Sequence, residues 1–148
     1  MTLTGRCHCG NLSFELQTDL AEPPLRECQC SFCRMHASVS VSDPAGHLKF
    51  EVVDESLLSR YRFGLATADF LVCARCGAYA GALMTEGAQS WGIANARLLS
   101  RSLPQAAQAV SYEGETAAAR IERRRQRWTR AEITIRPAAG APRSLRTE

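Results

Sequence analysis

Apolar and polar residues alternate along most of the chain, a pattern typical of half-buried β-strands. The alternation is clearest at residues 12–16 and 48–52, where every second residue is Leu, Phe or Val. Further segments with strand character lie at residues 39–41, 60–63, 69–72, 78–84, 91–93 and 132–135. Gly81 interrupts one of these segments and predicts a bulge or a point of close packing. The sequence therefore predicts a mainly β protein.

Helix is predicted at only two places. Residues 31–36 suit a single turn that would carry Cys33. Residues 116–128 suit a longer helix that begins after Gly114, with Thr116 as the N-cap. The fold expected from these patterns is a set of strands with one substantial helix near the C-terminal end of the chain.

The longer predicted helix has two distinct faces. Ile121 and Trp128 are seven residues apart, so they share a face that can pack on the sheet. Another face is basic and carries Arg120, Arg123, Arg124 and Arg127. We expect this face to be solvated and partly neutralised by Glu115, Glu122 and Glu132, in preference to binding nucleic acid. Its aromatic residues are not interleaved as a stacking platform, and the net charge is low.

Bulk composition is that of an ordinary globular domain. The chain has 148 residues, 45% hydrophobic and 22% charged, with a net charge of +3. We predict one domain over residues 1–136 and a frayed tail over residues 137–148, which mix Pro, Gly, Ala and Arg. The sequence shows neither a secretory signal nor an apolar run of membrane-spanning length. A cytoplasmic location, where thiols stay reduced, is therefore predicted.

All seven cysteines fall in three tight clusters. They form a CxC pair, a CxCxxC triplet and a CxxC pair, at Cys7 and Cys9, at Cys28, Cys30 and Cys33, and at Cys73 and Cys76. An odd number of closely spaced thiols in a reducing compartment argues against a disulfide framework. Thiolates two or three residues apart converge on one point, so the clusters predict metal binding, with zinc as the expected ion.

The residues that follow each cluster indicate which cysteines share a metal. Gly10 follows the first pair and Gly77 follows the last, and glycine allows the positive-φ turn that a metal-binding knuckle often needs. Two facing knuckles predict a closed structural site of Cys7, Cys9, Cys73 and Cys76. The triplet then leaves three thiolates and an open fourth position at Cys28, Cys30 and Cys33. His36, three residues after the triplet, is an alternative fourth ligand that would close that site.

This order of motifs resembles the family of glutathione-dependent formaldehyde-activating enzymes, which includes centromere protein V. The resemblance rests on CxCG at residues 7–10, CxCxxCR at 28–34, CxxCG at 73–77 and the segment 91–95. It implies a β-tent fold of coiled, layered antiparallel sheets with two zinc sites. It also implies the same division, with structural zinc on the four outer cysteines and catalytic zinc on the triplet. Gln29 departs from the family, which commonly has His there.

The expected activity is that of a zinc-dependent carbon–sulfur lyase resembling S-(hydroxymethyl)glutathione synthase. A thiol coordinated at the triplet would lose its proton and could attack a small aldehyde. Two zinc ions per chain, a thiol such as glutathione and an aldehyde are therefore the predicted cofactors and partners. Gln29, Arg34 and Arg75 are the candidate substrate-binding residues, because they lie beside metal ligands and glutathione carries two carboxylates.

Two other functions remain open at the level of sequence. The same fold could serve as a non-enzymatic, zinc-stabilised β-tent binding module for a protein or a nucleic acid. It could also be an enzyme that acts on another small thiol or electrophile. An open coordination position at the triplet favours an enzyme, whereas closure by His36 favours the binding module.

Overall fold

Eleven β-strands form the larger part of the regular secondary structure in the computed structural model, which describes residues 1–136. They are β1 (Thr2–Arg6), β2 (Leu12–Gln17), β3 (Leu25–Cys28), β4 (Ser40–Val41), β5 (His47–Val52), β6 (Leu58–Tyr61), β7 (Asp69–Cys73), β8 (Tyr79–Glu86), β9 (Gln89–Asn95), β10 (Gln108–Val110) and β11 (Thr129–Ile135). Two α-helices, α1 (Ser31–Met35) and α2 (Ala117–Arg127), and two short 3-10 turns, Glu55–Leu57 and Ala96–Leu98, complete the described elements. The tail predicted at residues 137–148 lies outside the described residues.

The prediction of a mainly β protein is confirmed, and so are both helices. Each predicted strand segment overlaps an observed strand, although β6 begins two residues earlier than its predicted segment. Three strands, β1, β3 and β10, had not been predicted. Strand β3 contains Arg26 and Glu27 and runs directly into the cysteine triplet, so its apolar alternation is too short to identify.

The strands form one hydrogen-bonded network that branches at β9. The main path runs β1-β2-β5-β11-β9-β4-β3-β10, and β8, β7 and β6 extend from β9 as a separate branch. Strand β9 pairs with β11 through Trp91 and Gly92, with β4 through Ala94 and Asn95, and with β8 along its length. One strand thus joins three neighbours, which brings the cysteine-bearing segments of both branches towards the same region.

Most strand pairs are antiparallel, as expected, but two described pairs are not. Strand β11 runs parallel to β5, and β10 runs parallel to β3. Both pairs join segments that are far apart in sequence, so no hairpin turn signals them. The expected antiparallel sheets are therefore present, with two parallel pairs in addition.

Gly81 occupies the point of close packing that its position in β8 predicts. The β7–β8 register shifts between Leu71 and Val72, opposite this part of β8. A Cβ atom at residue 81 would overlap the Ile93 carbonyl oxygen and lie 2.8 Å from the Phe50 ring. Glycine is required here because β9 and the core approach the backbone too closely for a side chain.

Helix α2 packs through the face that its apolar spacing predicts. The Thr116 hydroxyl caps the helix by accepting a hydrogen bond of 3.1 Å from the Ala119 amide. Ile121 and Trp128 pack in one hydrophobic cluster with Met84 and Trp91 of the sheet. Within residues 1–136, neither helix is long and apolar enough to cross a membrane.

Candidate metal centres and adjoining cavity

Four sulfur atoms from two segments that are far apart in sequence meet at one point. The Sγ atoms of Cys7, Cys9, Cys73 and Cys76 all lie within 4.8 Å of one another. Cys9 Sγ is 3.8 Å from Cys7 Sγ and 3.5 Å from Cys73 Sγ. Four thiolates around zinc at about 2.3 Å stand about 3.8 Å apart, so the observed spacing fits a closed metal site. The predicted grouping of these four cysteines is therefore present in the structure.

Two similar turns aim backbone amides at these sulfurs. The Leu12 amide donates to Cys7 Sγ at 3.2 Å, and the Cys76 amide donates to Cys73 Sγ at 3.5 Å. Gly10 and Gly77 adopt φ values of 84° and 81°, which lie in the left-handed region that glycine favours. Such amides stabilise thiolates, and burial raises the pKa of the Cys7 thiol to about 12. A cation at the centre would offset that burial, so the donor set suits a metal ion.

The triplet forms a second, separate cluster around the start of α1. The Sγ atoms of Cys28, Cys30 and Cys33 lie within 4.8 Å of one another. Cys28 ends β3, whereas Cys33 lies one turn into α1. Cys30 is the N-cap of α1, and its sulfur accepts a hydrogen bond of 3.4 Å from the Cys33 amide. The helical turn therefore folds three neighbouring thiols onto one point.

The electrostatics of the triplet also suit a cation. Hydrogen bonds from the Cys28 and Cys33 thiols hold the pKa of Cys30 well below its usual value. Hydrogen bonds to the other two thiols raise the pKa of Cys33, and its burial raises it further. One thiolate thus forms readily and the others resist ionisation, because three negative sulfurs repel one another at this spacing. A bound metal ion would remove that conflict.

His36 does not belong to the triplet cluster. Of the His, Cys, Asp and Glu residues within 1–136, only the three cysteines place ligand atoms within the 4.8 Å spacing. The His36 ring instead packs on Phe32, with ring centroids 4.4 Å apart. The described arrangement therefore offers three protein ligands at the triplet against four at the other cluster.

The triplet lies in the wall of a cavity of about 400 Å³. This volume falls near the small end of the range for ligand pockets. Aromatic rings of Phe63, Phe70 and Tyr79 line one side, and Phe32 packs against all three. Burial, followed by the nearby Cys33, Cys28 and Cys30 sulfurs, raises the pKa of Tyr79 well above its usual value. The Tyr79 hydroxyl therefore remains protonated near neutral pH and can act as a hydrogen-bond donor.

The three residues predicted to bind substrate differ in position. Gln29 lines the cavity, and its side-chain amide donates to the Glu27 carbonyl at 2.8 Å. Arg34 and Arg75 are exposed and are absent from the cavity wall. Each lies next to a candidate metal ligand in sequence, but that adjacency does not place it in the cavity wall. Their role in substrate binding stays a prediction.

The cavity instead receives the basic face of α2. Arg120, Arg123, Arg124 and Arg127 all line it, together with Arg26 from β3. The prediction that this face is solvated is wrong, because Arg124 is only 7% exposed and Arg120 and Arg123 are half-buried. Their helical spacing showed that these arginines share a face. Sequence did not reveal that β3 and the cysteine triplet lie opposite that face.

Two of these arginines are fixed by an acidic partner. Glu115 accepts hydrogen bonds from Arg120 at 3.1 Å and from Arg123 at 2.8 Å. These contacts, led by Arg123, lower the pKa of Glu115 to about 2. Arg123 also stacks on the Tyr112 ring at 3.4 Å. The predicted partial neutralisation of the helix by Glu115 is thus observed, and it anchors the loop before α2 to the cavity wall.

The fold and these two clusters define a mainly β protein with one four-thiol and one three-thiol candidate metal centre. Residues 2–112 match the family model described as glutathione-dependent formaldehyde-activating enzyme, and the chain belongs to this family. Among solved structures, it is similar to a protein of Rhodobacter sphaeroides known from a crystal structure. The two share 25% sequence identity and a TM-score of 0.56, over 72% of this chain and 99% of the other.

Proposed function

We propose that the protein is a zinc-dependent carbon–sulfur lyase that joins a thiol such as glutathione to a small aldehyde. Zinc would be held structurally by Cys7, Cys9, Cys73 and Cys76, and at the reactive site by the triplet. The proposed reaction resembles that of S-(hydroxymethyl)glutathione synthase. Thiol ligands of this kind suit a reducing compartment, so we retain a cytoplasmic location as part of the proposal.

The observation that carries this proposal is the three-thiol cluster in the wall of a cavity. A four-thiol cluster is saturated by protein, whereas three ligands leave a position for substrate. The packing of His36 on Phe32 supports the enzyme in preference to the binding module, which closure of this site by His36 would favour. Membership of a family described as formaldehyde-activating enzymes supports the same choice.

Zinc at the triplet would lower the pKa of a coordinated thiol and so supply a thiolate near neutral pH. The residues of the chain would supply the remaining requirements. Phe63 and Phe70 give an apolar wall that limits water around the reacting groups. The Tyr79 hydroxyl, protonated and in the same wall, would donate a hydrogen bond to the aldehyde oxygen as negative charge develops there.

The proposed step balances without an oxidant or a reductant. The thiol sulfur forms a bond to the carbonyl carbon, and the carbonyl π bond opens onto its oxygen. The proton released by the thiol returns to that oxygen through solvent, which gives a hydroxyl group. The product is an S-hydroxyalkyl thiol, and the reverse sequence regenerates both reactants.

The test combines metal content with exchange kinetics. Purified protein should carry two zinc ions per chain, and exchange spectroscopy should show faster adduct formation from glutathione and formaldehyde than in buffer. The matched control is Cys30→Ser, which should retain one zinc ion and lose the acceleration. If fully loaded wild-type protein accelerates no thiol–aldehyde pair in a panel, the proposed reaction is wrong.

A further inference from the structure

A concentration of positive charge faces the candidate reactive site. Five arginines line the cavity, whereas Glu113 is the one acidic residue among the described lining residues. Glu115 lies beside the cavity and is already shared by Arg120 and Arg123. Three arginines, Arg26, Arg124 and Arg127, therefore face this space without a carboxylate partner within salt-bridge distance in residues 1–136.

Arg124 is the most constrained of these groups. It is 7% exposed, and its Nη1 donates to the Thr67 hydroxyl at 2.6 Å. Its guanidinium stacks on the Trp128 ring at 4.5 Å. The buried Nε has no hydrogen-bond partner within the described chain. An ionised side chain with an unpaired donor is costly to bury, and a bound anion would offset that cost.

The neighbouring arginines add to the positive charge that a bound anion would offset. Burial, followed by repulsion from Arg123 and Arg120, lowers the pKa of Arg124 to about 10. Burial also lowers the pKa of Arg26, and repulsion from Arg127 and Arg123 contributes. Both groups remain charged near neutral pH, at a point where several cations converge. Planar guanidinium groups match the two oxygens of a carboxylate in geometry as well as in charge.

One cavity connects this cationic wall to the triplet. Its lining includes Cys28, Cys30 and Cys33 as well as Arg26, Arg124 and Arg127. The two charged regions are therefore close enough for a single small molecule to contact both. The cavity volume of about 400 Å³ is consistent with such a molecule.

We propose that Arg124, assisted by Arg26 and Arg127, binds a carboxylate of the substrate while its reacting thiol reaches Cys28, Cys30 and Cys33. The new element is the site for the carboxylate, because the thiol of the proposed function, glutathione, already carries such groups. Helix α2 selects such a thiol from beyond residue 112, where the family match ends. The identity of the reacting group rests on the proposed function, whereas the carboxylate site does not.

The test compares two thiols of matched length on zinc-loaded, full-length protein. Calorimetric titration should show that 3-mercaptopropionate binds at least about tenfold more tightly than 3-mercapto-1-propanol, as expected for a charged hydrogen bond in a partly buried site. Arg124→Gln should reduce this ratio to about one without changing the affinity for the alcohol. Arg125→Gln is the matched control and should retain the wild-type ratio, because Arg125 points away to Glu86 and Glu122.

A second variant keeps the test decisive even if Arg124→Gln does not fold. Arg127 is exposed while it lines the cavity, so Arg127→Gln should keep the wild-type melting temperature and reduce the ratio about threefold. A wild-type ratio near one would overturn the carboxylate site. So would an unchanged ratio in both variants, which would mean that the arginines only balance the charge of the metal site.

Anions without a thiol separate this inference from the proposed function. Propionate should raise the melting temperature of the wild type and of Arg125→Gln, but not that of Arg124→Gln. Suppose that propionate gives this pattern of melting temperatures while neither thiol perturbs the spectrum of cobalt-loaded protein. The proposed function then fails and the carboxylate site stands. If both thiols bind equally, the carboxylate site fails and the proposed function stands.

Inorganic phosphate is the competing anion. If it raises the melting temperature more than propionate does, the ligand is a phosphate and the carboxylate proposal is overturned.

Discussion

The two cysteine clusters should respond differently to the loss of one ligand. Cys76→Ser removes a ligand from the cluster that ties residues 7–9 to residues 73–76, and Cys30→Ser removes one from a cluster confined to a six-residue segment. We expect Cys76→Ser to destabilise the fold strongly and Cys30→Ser to leave it largely intact, with a smaller loss of stability. The comparison separates a structural site from a reactive one within the same chain.

The expected magnitudes follow from the length of chain that each metal closes. Cys9 and Cys73 are 64 residues apart in sequence, and a cross-link of that span restricts the unfolded chain by about 4 kcal/mol. The same relation gives about 2 kcal/mol for the short segment from Cys28 to Cys33. Three ligands survive in Cys76→Ser, so a loss of about 2–4 kcal/mol is expected from a total stability of about 5–15 kcal/mol.

Serine at position 30 removes the thiol but can keep the helix cap. Cys30 caps α1 through its sulfur, and a serine hydroxyl is a favourable helix N-cap. The cap is therefore kept, and Cys30→Ser should cost at most the roughly 2 kcal/mol of the short closure while it lowers the zinc content from two ions to one. Urea unfolding of zinc-loaded protein, with metal analysis of the same samples, measures both quantities. Equal destabilisation by the two substitutions would refute the assignment of one structural and one reactive site.

Three further predictions test other contacts. Tyr79→Phe should lower turnover about 100-fold with unchanged zinc content, because it removes the proposed hydrogen-bond donor, and a wild-type rate would exclude that role. Glu115→Gln should cost about 1–3 kcal/mol in urea unfolding above pH 5. That gap should narrow as pH falls from 4.5 towards the folded pKa of about 2, and a constant gap would contradict the ion pairs. Gly81→Ala should cost about 1–3 kcal/mol by the same measurement, and neutrality would show that β9 can move away.

The grouping of the cysteines was the part of the candidate site that sequence could predict. Thiols two or three residues apart in sequence lie close enough in space to share one metal ion. Glycine after each outer pair indicates a turn with positive φ, and Gly10 and Gly77 adopt such values. The packing of Ile121 and Trp128 followed from their helical spacing for the same reason. In each case the determining geometry is local, so the sequence contains it.

The cavity wall could not be predicted because it is built by long-range packing. Arg34 and Arg75 were chosen for being next to ligands in sequence, yet neighbouring side chains point in different directions. Arg124 was assigned to solvent because the net charge is low and no aromatic stacking platform is interleaved with the arginines. Parallel pairing of β3 with β10 and of β5 with β11 instead places α2 beside the triplet. Spacing identifies which residues share a face, but it does not identify what that face contacts.

The position of β11 also governs the order in which the newly made chain can finish folding. The thiols of the four-thiol cluster all lie within residues 7–76, so they are synthesised well before β11. Strand β11 is then inserted between β5 and β9, in the middle of the network. A fragment that ends at residue 112, where the family match ends, would leave those two strand edges unpaired and prone to aggregation. Residue 112, where the family match ends, is therefore not a position at which this protein can be truncated.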